Sequence, residues 1–380
     1  MKNLRFTNAR ATRSMHTTVL AIAAATAAVA AGTLAGAGNA APARTADRAS
    51  NSQEMQIKQP TLENGLLTVT GTNKADRIAL RLQAGRPDIL QVDFRDDGSG
   101  SADFSFERGQ IAEIVVDGGN GGDAVRIDEV NGVFSDTIPT TIKGGNGNDR
   151  LVGGAGPVTI DGGNGDDTLF GGNGNEKLLG GNGNDSIDGN KGNDSAFLGS
   201  GNDTFIWDPG DGSDTIEGDS GKDTMVFNGA NVVDTVDLIA DGSHLKFLRQ
   251  PANITMDTHG VERVDFNALG LEDVVTVNDL TGTGVKELNV DLAGSLGGVT
   301  GDAAADRVIV NATDGDDKVD LSDNADGVKV TGLVPTIRVL HSEPGNDSLE
   351  INTLAGTDTV RSAHLDLGLI LLFVDGTLTR

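Results

Sequence analysis

The chain lacks cysteine and tyrosine, and aromatic residues make up only 3% of its 380 residues. Without cysteine, disulfides cannot hold the fold together, and an enzyme that uses a thiol nucleophile is excluded. The scarcity of aromatic rings argues against one large globular core and against a groove that stacks on sugars. We therefore expect a core built from many short strands of Val, Ile and Leu.

Basic residues are also few: 29 Lys and Arg stand against 56 Asp and Glu, which gives a formal net charge of −27. Nucleic-acid binding needs clusters of Lys and Arg to contact phosphates, so we expect no nucleic-acid partner. The many carboxylates repel one another, and divalent cations would relieve that repulsion. The composition therefore favours metal ions as partners.

Motifs of common hydrolases are missing from the sequence. None of the five histidines belongs to a His-Glu-x-x-His motif, and no Gly-x-Ser-x-Gly motif is present. A zinc protease and an α/β-hydrolase are therefore not expected. We predict that the protein is not an enzyme. The remaining enzymatic alternative is a polysaccharide-active enzyme that works with carboxylates on a β-helix.

The N-terminal segment has the pattern of a secretion signal. Basic residues up to Arg13 precede an Ala-rich apolar run from Val19 to Leu34, and small-residue cleavage sites follow near Ala37 and Ala43. We predict a signal peptide at 1–43, a flexible leader at 44–60, and an extracellular, secreted protein. An uncleaved anchor is the alternative. No later apolar run is long enough for a membrane span, so none is expected in the mature chain.

A glycine-rich repeat dominates the middle of the chain. Seven nonapeptides of the form Gly-Gly-x-Gly-x-Asp-x-apolar-x follow one another from Gly144 to Ile206, and the fourth position is Gly in every copy. A flexible linker has no reason to keep an apolar residue at every eighth position. The eighth-position residues are Leu151, Ile160, Leu169, Leu178, Ile187, Ala196 and Phe205.

The repeat extends in weaker form beyond this run. Gly118–Arg126 is an isolated copy, and two more copies follow a two-residue insertion at Trp207-Asp208. After Phe227 the glycines thin out, but Gly-x-Asp-x-apolar units recur. We predict an N-terminal β domain at 61–143, the repeat array at 144–227, and a C-terminal β-rich domain with degenerate repeats at 228–380.

Stacking of the repeats would create metal sites. Two nonapeptides should make one turn, so that each copy lies on the second copy before it, about 4.8 Å away. Carboxylates and glycine carbonyls on one edge could then hold a hard cation such as Ca²⁺. An Asx-turn solenoid that folds without metal is the alternative. The predicted ligands are Asp149, Asp167, Asp185, Asp203, Asp194, Asp214, Asp223 and Asp123, with Gly145, Gly147, Gly163, Gly165, Gly181, Gly183, Gly199 and Gly201.

The two edges differ in their acidic residues. One edge carries Asp149, Asp167, Asp185 and Asp203 and is complete, whereas the other carries Val158, Glu176 and Asp194. Val158 cannot bind a metal, and Glu176 is one methylene longer than Asp. We therefore expect one edge saturated with calcium and one partly occupied. The insertion leaves open which edge Asp214 and Asp223 join.

Residues Gly144–Val226 resemble the hemolysin-type (RTX) calcium-binding repeat. The resemblance implies an all-β fold, a right-handed parallel β-roll with calcium in its turns that folds only when calcium is bound, here flanked by β-rich or β-helical domains. The N-terminal signal departs from RTX toxins, which typically use a C-terminal signal, and no pore-forming domain is present. Flanking segments resemble secreted bacterial calcium-binding repeat proteins: Asp76–Ile78, Ala102–Phe106, Trp207–Asp214, Asn253–Asp257 and Val261–Gly270.

The sequence thus predicts a secreted calcium-binding protein whose repeat domain binds Ca²⁺ between stacked turns. The alternative is a cell-surface adhesion or structural protein that uses the roll as a spacer. In that case its flanks would bind an unidentified protein or polysaccharide partner.

Overall fold

The computed structural model describes residues 57–96, 102–324, 327–366 and 368–379. The predicted signal peptide and most of the predicted leader lie outside the described residues. Strands dominate the described chain, and one short 3₁₀ helix at Arg108–Gln110 interrupts them. No helix in these ranges is long and apolar enough to cross a membrane.

The strands are short and follow one another closely. Those before the array are β1 Thr61–Glu63, β2 Leu66–Thr70, β3 Arg77–Gln83, β4 Arg86–Asp93, β5 Phe104–Glu107, β6 Glu113–Asn120 and β7 Ala124–Asp128. Those of the array are β8 Thr140–Asn146, β9 Arg150–Val152, β10 Val158–Asn164, β11 Thr168–Gly172, β12 Lys177–Asn182, β13 Ser186–Asn190, β14 Ser195–Gly201, β15 Thr204–Trp207, β16 Thr215–Glu217, β17 Ser220–Gly221 and β18 Thr224–Asn228.

The C-terminal part also consists of short strands that follow one another closely. Its strands are β19 Thr235–Asp241, β20 His244–Gln250, β21 Ile254–His259, β22 Arg263–Asn267, β23 Val274–Val277, β24 Glu287–Asp291, β25 Arg307–Asn311, β26 Lys318–Asn324, β27 Gly327–Thr331, β28 Thr336–Leu340, β29 Ser348–Asn352, β30 Thr359–His364, β31 Leu371–Val374 and β32 Thr377–Thr379.

These strands form two sheets, and the chain alternates between them through the array. In one sheet β8, β10, β12, β14 and β16 are parallel neighbours, and in the other β9, β11, β13, β15 and β18 are. Leu169 is paired with Leu151 and Ile187, each 18 residues away. Two nonapeptides therefore make one turn, and the prediction of an all-β parallel roll is confirmed.

The period-2 pattern of each strand explains where the core lies. In β11 only every second side chain is buried, and Leu169 is fully inside. Each fully buried Leu or Ile stabilises the fold by roughly 1.5–3 kcal/mol. The eighth-position residues therefore form two facing apolar ladders, and one buried cluster extends from Leu67 to Leu372.

Antiparallel strands interrupt the parallel stacking at several places. β3 continues into β4 and β5, and a meander of β19, β20 and β21 lies between β16 and β23. β26, β27 and β28 form another antiparallel group. The described residues all belong to one compact unit. The division into segments at 61–143, 144–227 and 228–380 stays a prediction.

The two-residue insertion leaves the stacking intact. Trp207 points into the core, where its ring stacks on Phe227 with centroids 4.0 Å apart. Its indole N–H donates to the Gly212 carbonyl at 2.8 Å. Phe205 is paired with Met225, 20 residues on instead of 18. The extra residues are thus accommodated between two turns without shifting the next strand.

Candidate metal centre

The sixth-position aspartates stack into a row along one edge of the roll. The main-chain N–H of Asp149 donates to Asp167 Oδ1 at 2.7 Å, and the same bond joins Asp167 to Asp185 and Asp185 to Asp203. The row continues outside the seven copies in both directions. We call it the first row: Asp76, Asp123, Asp149, Asp167, Asp185, Asp203 and Asp223.

From Asp123 onward, each aspartate of the first row accepts this bond with one carboxylate oxygen and leaves the other without a partner among the described residues, whereas Asp76 accepts the N–H of Thr72 instead. In Asp167, Oδ1 accepts the N–H of Asp149, whereas Oδ2 is buried and has no hydrogen bond among the described residues. An ionised oxygen in such a place is costly unless a cation pairs with it. The same oxygen is unpartnered in Asp123, Asp149, Asp185, Asp203 and Asp223, and in Asp76 it is Oδ1.

Main-chain carbonyl oxygens of the next turn lie close to these unpartnered carboxylate oxygens. A Cβ added to Gly144 would lie 2.3 Å from Asp149 Oδ2 and 2.5 Å from the carbonyl oxygen of Gly162 in the next turn. Strand pairing runs from Lys143–Asp161 to Gly145–Gly163 and omits Gly144–Gly162, so the ladder is interrupted at this point. Carboxylate and carbonyl oxygens are the ligands that Ca²⁺ prefers. The residues present therefore fit a calcium ion between successive turns.

The predicted glycines all adopt a backbone conformation that other residues rarely take. Gly145 has φ +108° and Gly147 has φ +123°, and a Cβ on Gly147 would lie 1.8 Å from the Gly121 carbonyl oxygen. Only glycine fits such a turn. The other six predicted glycines have φ between +104° and +147°: Gly163, Gly165, Gly181, Gly183, Gly199 and Gly201. Their role as ligands stays a prediction.

The opposite edge carries a shorter row, which we call the second row: Glu176, Asp194 and Asp214. Glu176 donates its N–H to Asp194 Oδ1 at 2.7 Å, and Asp194 donates to Asp214 at 2.8 Å. Val158 stands one turn before Glu176 and supplies no side-chain oxygen. The structure thus places Asp214 in the second row and Asp223 in the first, which the sequence left open.

Glu176 fits the second row despite its extra methylene. Its Oε2 reaches back to accept the N–H of Gly172 at 2.8 Å, while Oε1 is buried without a partner. Asp194 and Asp214 have the same kind of unpartnered oxygen. The expectation that this edge is weakened therefore rests on Val158 rather than on Glu176.

Burial changes the acidity of both rows. Loss of solvent raises the pKa of Asp149 and Asp185 to about 6 and that of Asp167 and Asp194 to about 7, against the opposing effect of the main-chain hydrogen bond. Neighbouring carboxylates add to the increase.

No group of three or more acidic or His side chains that could hold a metal occurs in the described ranges, so main-chain oxygens would have to complete any site here.

The structure also brings together acidic residues that the sequence analysis did not assign. Asp234, Asp273, Asp306 and Asp347 are joined by the same N–H to Oδ1 bonds, at 2.6, 2.8 and 3.0 Å, and we call them the third row. Each stands two residues before a buried apolar residue, as in Asp273-Val274-Val275. An Asp-x-apolar search without the glycine requirement would have found them, and would also have found Asp76.

Comparison with known families agrees with this geometry. A family model described as the RTX calcium-binding nonapeptide repeat matches residues 143–178, 170–205 and 210–231, roughly a fifth of the chain. No curated protein matches the chain at a significant level. The matched residues contain the central part of the first row and the whole second row. Residues 143–205 and 210–231 of this chain are therefore RTX calcium-binding nonapeptide repeats.

Proposed function

We propose that the protein is secreted and that its array folds when Ca²⁺ binds between the stacked turns. The observation that carries the proposal is the repeated unpartnered Oδ2, which faces a main-chain carbonyl of the next turn. The proposed carboxylate ligands are Asp123, Asp149, Asp167, Asp185, Asp203 and Asp223 in the first row, with Asp194 and Asp214 in the second. The proposal assigns no catalytic step to the chain.

Coupling of binding to folding follows from electrostatics. The folded row places ionised carboxylates one above another in a buried edge, and their mutual repulsion opposes folding. A cation between turns turns this repulsion into attraction, so metal binding contributes its free energy to folding. Extracellular calcium modules bind with dissociation constants of roughly 10⁻⁴–10⁻³ M. Such a chain would stay unfolded at low cytosolic calcium and fold after export, which agrees with the predicted signal at 1–43.

The test is a calcium titration of the full chain followed by calorimetry and circular dichroism. We expect heat and a gain of strand signal at millimolar Ca²⁺. Asp167→Asn should reduce the number of ions bound, because the amide keeps the acceptor for Asp149 N–H but removes the charge. Asp161→Asn is the matched control, since Asp161 lies in the same turn outside both rows. Absence of heat together with an unchanged spectrum would contradict the proposal.

A further inference from the structure

A row of asparagines runs along the exposed side of the turns that carry the first row. The Nδ2 of Asn164 donates to Asn146 Oδ1 at 2.9 Å, and Asn182 donates to Asn164 at 2.8 Å. Asn146 and Asn120 continue the series to Asn73, again with bonds of 2.8 Å. We call these five residues the asparagine ladder. All five are exposed, so water reaches their side chains.

Four members of the ladder are each followed by a glycine: Asn120-Gly121, Asn146-Gly147, Asn164-Gly165 and Asn182-Gly183. In such a dipeptide the main-chain nitrogen of the glycine can attack the side-chain carbonyl carbon of the asparagine, because no Cβ hinders its approach. Ammonia leaves, and water opens the resulting succinimide to aspartate or isoaspartate. The reaction needs no enzyme, oxidant or reductant. The four pairs are therefore susceptible to deamidation whenever both reacting groups are free to move.

The folded turns hold both reacting groups in place. The Gly165 N–H donates to the carbonyl oxygen of Asn182 at 2.8 Å, so the attacking nitrogen is bonded to the next turn. The equivalent N–H bonds of Gly121, Gly147 and Gly183 are 2.7, 2.7 and 2.8 Å long. The side-chain amide that would leave as ammonia is itself held by the ladder. Deamidation in the folded chain therefore has to wait until the turns open.

The products of the reaction do not fit the folded turn. Aspartate has no side-chain N–H to donate along the ladder, and it adds a negative charge to a turn that already carries an aspartate of the first row. Isoaspartate lengthens the main chain by a methylene at positions where Asn146, Asn164 and Asn182 are paired in register. A deamidated array therefore cannot rebuild the same stack of turns.

We propose that these four Asn-Gly pairs are modification sites, which deamidate while the array is unfolded, and that the product prevents the array from refolding. Folded turns protect the pairs, so the chain keeps its ability to refold only for as long as its unfolded periods are short. The proposal applies to any unfolded array, whatever causes the unfolding. It does not depend on calcium binding, and its tests use urea instead of a chelator to unfold the chain.

Peptide mapping by mass spectrometry measures the reaction at each pair after incubation of the full chain at mildly alkaline pH. One sample is folded, as checked by circular dichroism, and the other is unfolded in urea. We expect each ladder pair to deamidate more slowly in the folded chain, by about tenfold or more, because the reaction follows the population of opened turns. A short peptide of residues 161–168 gives the intrinsic rate in each solvent. Equal rates in the folded and unfolded chain would overturn the proposal.

Asn164→Ser isolates the contribution of the ladder. Serine already occupies the corresponding positions at Ser200 and Ser220, so the turn should keep its fold. Asn182 loses its acceptor and should deamidate several-fold faster than in the unsubstituted chain. Asn175→Ser, in an exposed turn of the opposite edge, is the matched control and should leave this rate unchanged. An unchanged rate at Asn182 in Asn164→Ser would contradict protection by the ladder.

Refolding after incubation in urea tests the consequence of the reaction. The full chain is kept unfolded for increasing times and returned to folding conditions, and circular dichroism measures the strand signal that is recovered. We expect this recovery to fall as the ladder pairs deamidate. The chain that combines Asn120→Ser, Asn146→Ser, Asn164→Ser and Asn182→Ser should keep its recovery, although its other asparagines react as before. An equal loss of recovery in both chains would overturn the role of these pairs.

Discussion

At the scale of single residues, the aspartates of the first row divide their two oxygens between two tasks. From Asp123 onward, Oδ1 accepts the main-chain N–H of the preceding member of the row, and this bond is nearly the same length at every step, 2.7–2.9 Å. Oδ2 is buried where the described residues supply no hydrogen-bond donor to balance its charge. Asparagine could perform the first task but not the second. Substitution by Asn therefore separates the structural role of the row from its charge.

The raised pKa values of the aspartates in the two rows predict how calcium binding depends on pH. Asp167 and Asp194 have pKa values of about 7 in the folded, metal-free chain, against about 3.9 for an exposed aspartate. Protons therefore stabilise the metal-free fold below about pH 4, and that stability is lost as the pH rises toward 7. Calcium needs the ionised form, so its affinity should fall as the pH is lowered from about 8 to about 5.

Calorimetry in buffers of different ionisation heat measures this effect. We expect protons to be released on binding near neutral pH, and fewer to be released at higher pH. An affinity that stays constant over this range would show that the first and second rows do not bind the ion. Asp161→Asn, outside the rows, should leave the pH profile unchanged.

At the scale of elements, each turn depends on glycines at positions where neighbouring turns touch. Gly183 has φ +131°, and a Cβ there would lie 2.0 Å from the Gly165 carbonyl oxygen. Gly210, in the insertion, has φ +116° but open space around it. Alanine substitutions at these two glycines therefore distinguish the free-energy cost of the backbone conformation from the cost of steric overlap with the neighbouring turn.

We expect Gly183→Ala to lower the free energy of unfolding more than Gly210→Ala. Both substitutions lower the free energy of unfolding by about 1–2 kcal/mol, because alanine is strained in a left-handed backbone conformation. Gly183→Ala lowers it by roughly 1–3 kcal/mol more, because the new Cβ overlaps the next turn. Denaturant unfolding at saturating calcium measures the difference. Equal losses in the two variants would mean that the stacked turns can separate freely at this point.

Sequence and structure agree where the repeat is regular and differ where its spacing varies. The 18-residue stacking and the Asp149–Asp203 edge follow from a strict nonapeptide count. The third row could not be found in this way, because its members are 33 to 41 residues apart and strands and loops of variable length lie between them. The length of the Glu176 side chain alone did not indicate that the main-chain N–H of Gly172 receives its longer carboxylate; the weaker metal binding expected at this edge stays a prediction.

At the scale of the whole molecule, the array and the following strands share one core. Trp207 ends β15, is 1% exposed, and packs on Phe227 just before the C-terminal segment begins. Phe227 in turn packs on Phe247 and Phe266, with ring centres 4.4 and 6.0 Å away. The chain has a single tryptophan, so its fluorescence reports on the junction between array and C-terminal segment.

We predict that removal of calcium shifts the Trp207 emission to longer wavelength, because loss of the folded turns exposes the indole to water. Adding calcium back should restore the short-wavelength emission. In Asp167→Asn the transition should move to higher calcium, and in Asp161→Asn it should not move. An emission spectrum that is insensitive to a chelator would show that this junction stays folded without metal.

The hydrogen bond that joins successive aspartates of the first row has a consequence for how the turns can vary in length. Consecutive aspartates of the first row are 47, 26, 18 and 20 residues apart at different places, yet the same short contact joins each pair. The spacing between successive turns is thus constant, whereas the number of residues in a turn can vary. A loop between two stacked turns can therefore grow longer and expose new surface residues, while the aspartates of the row stay stacked in the same order.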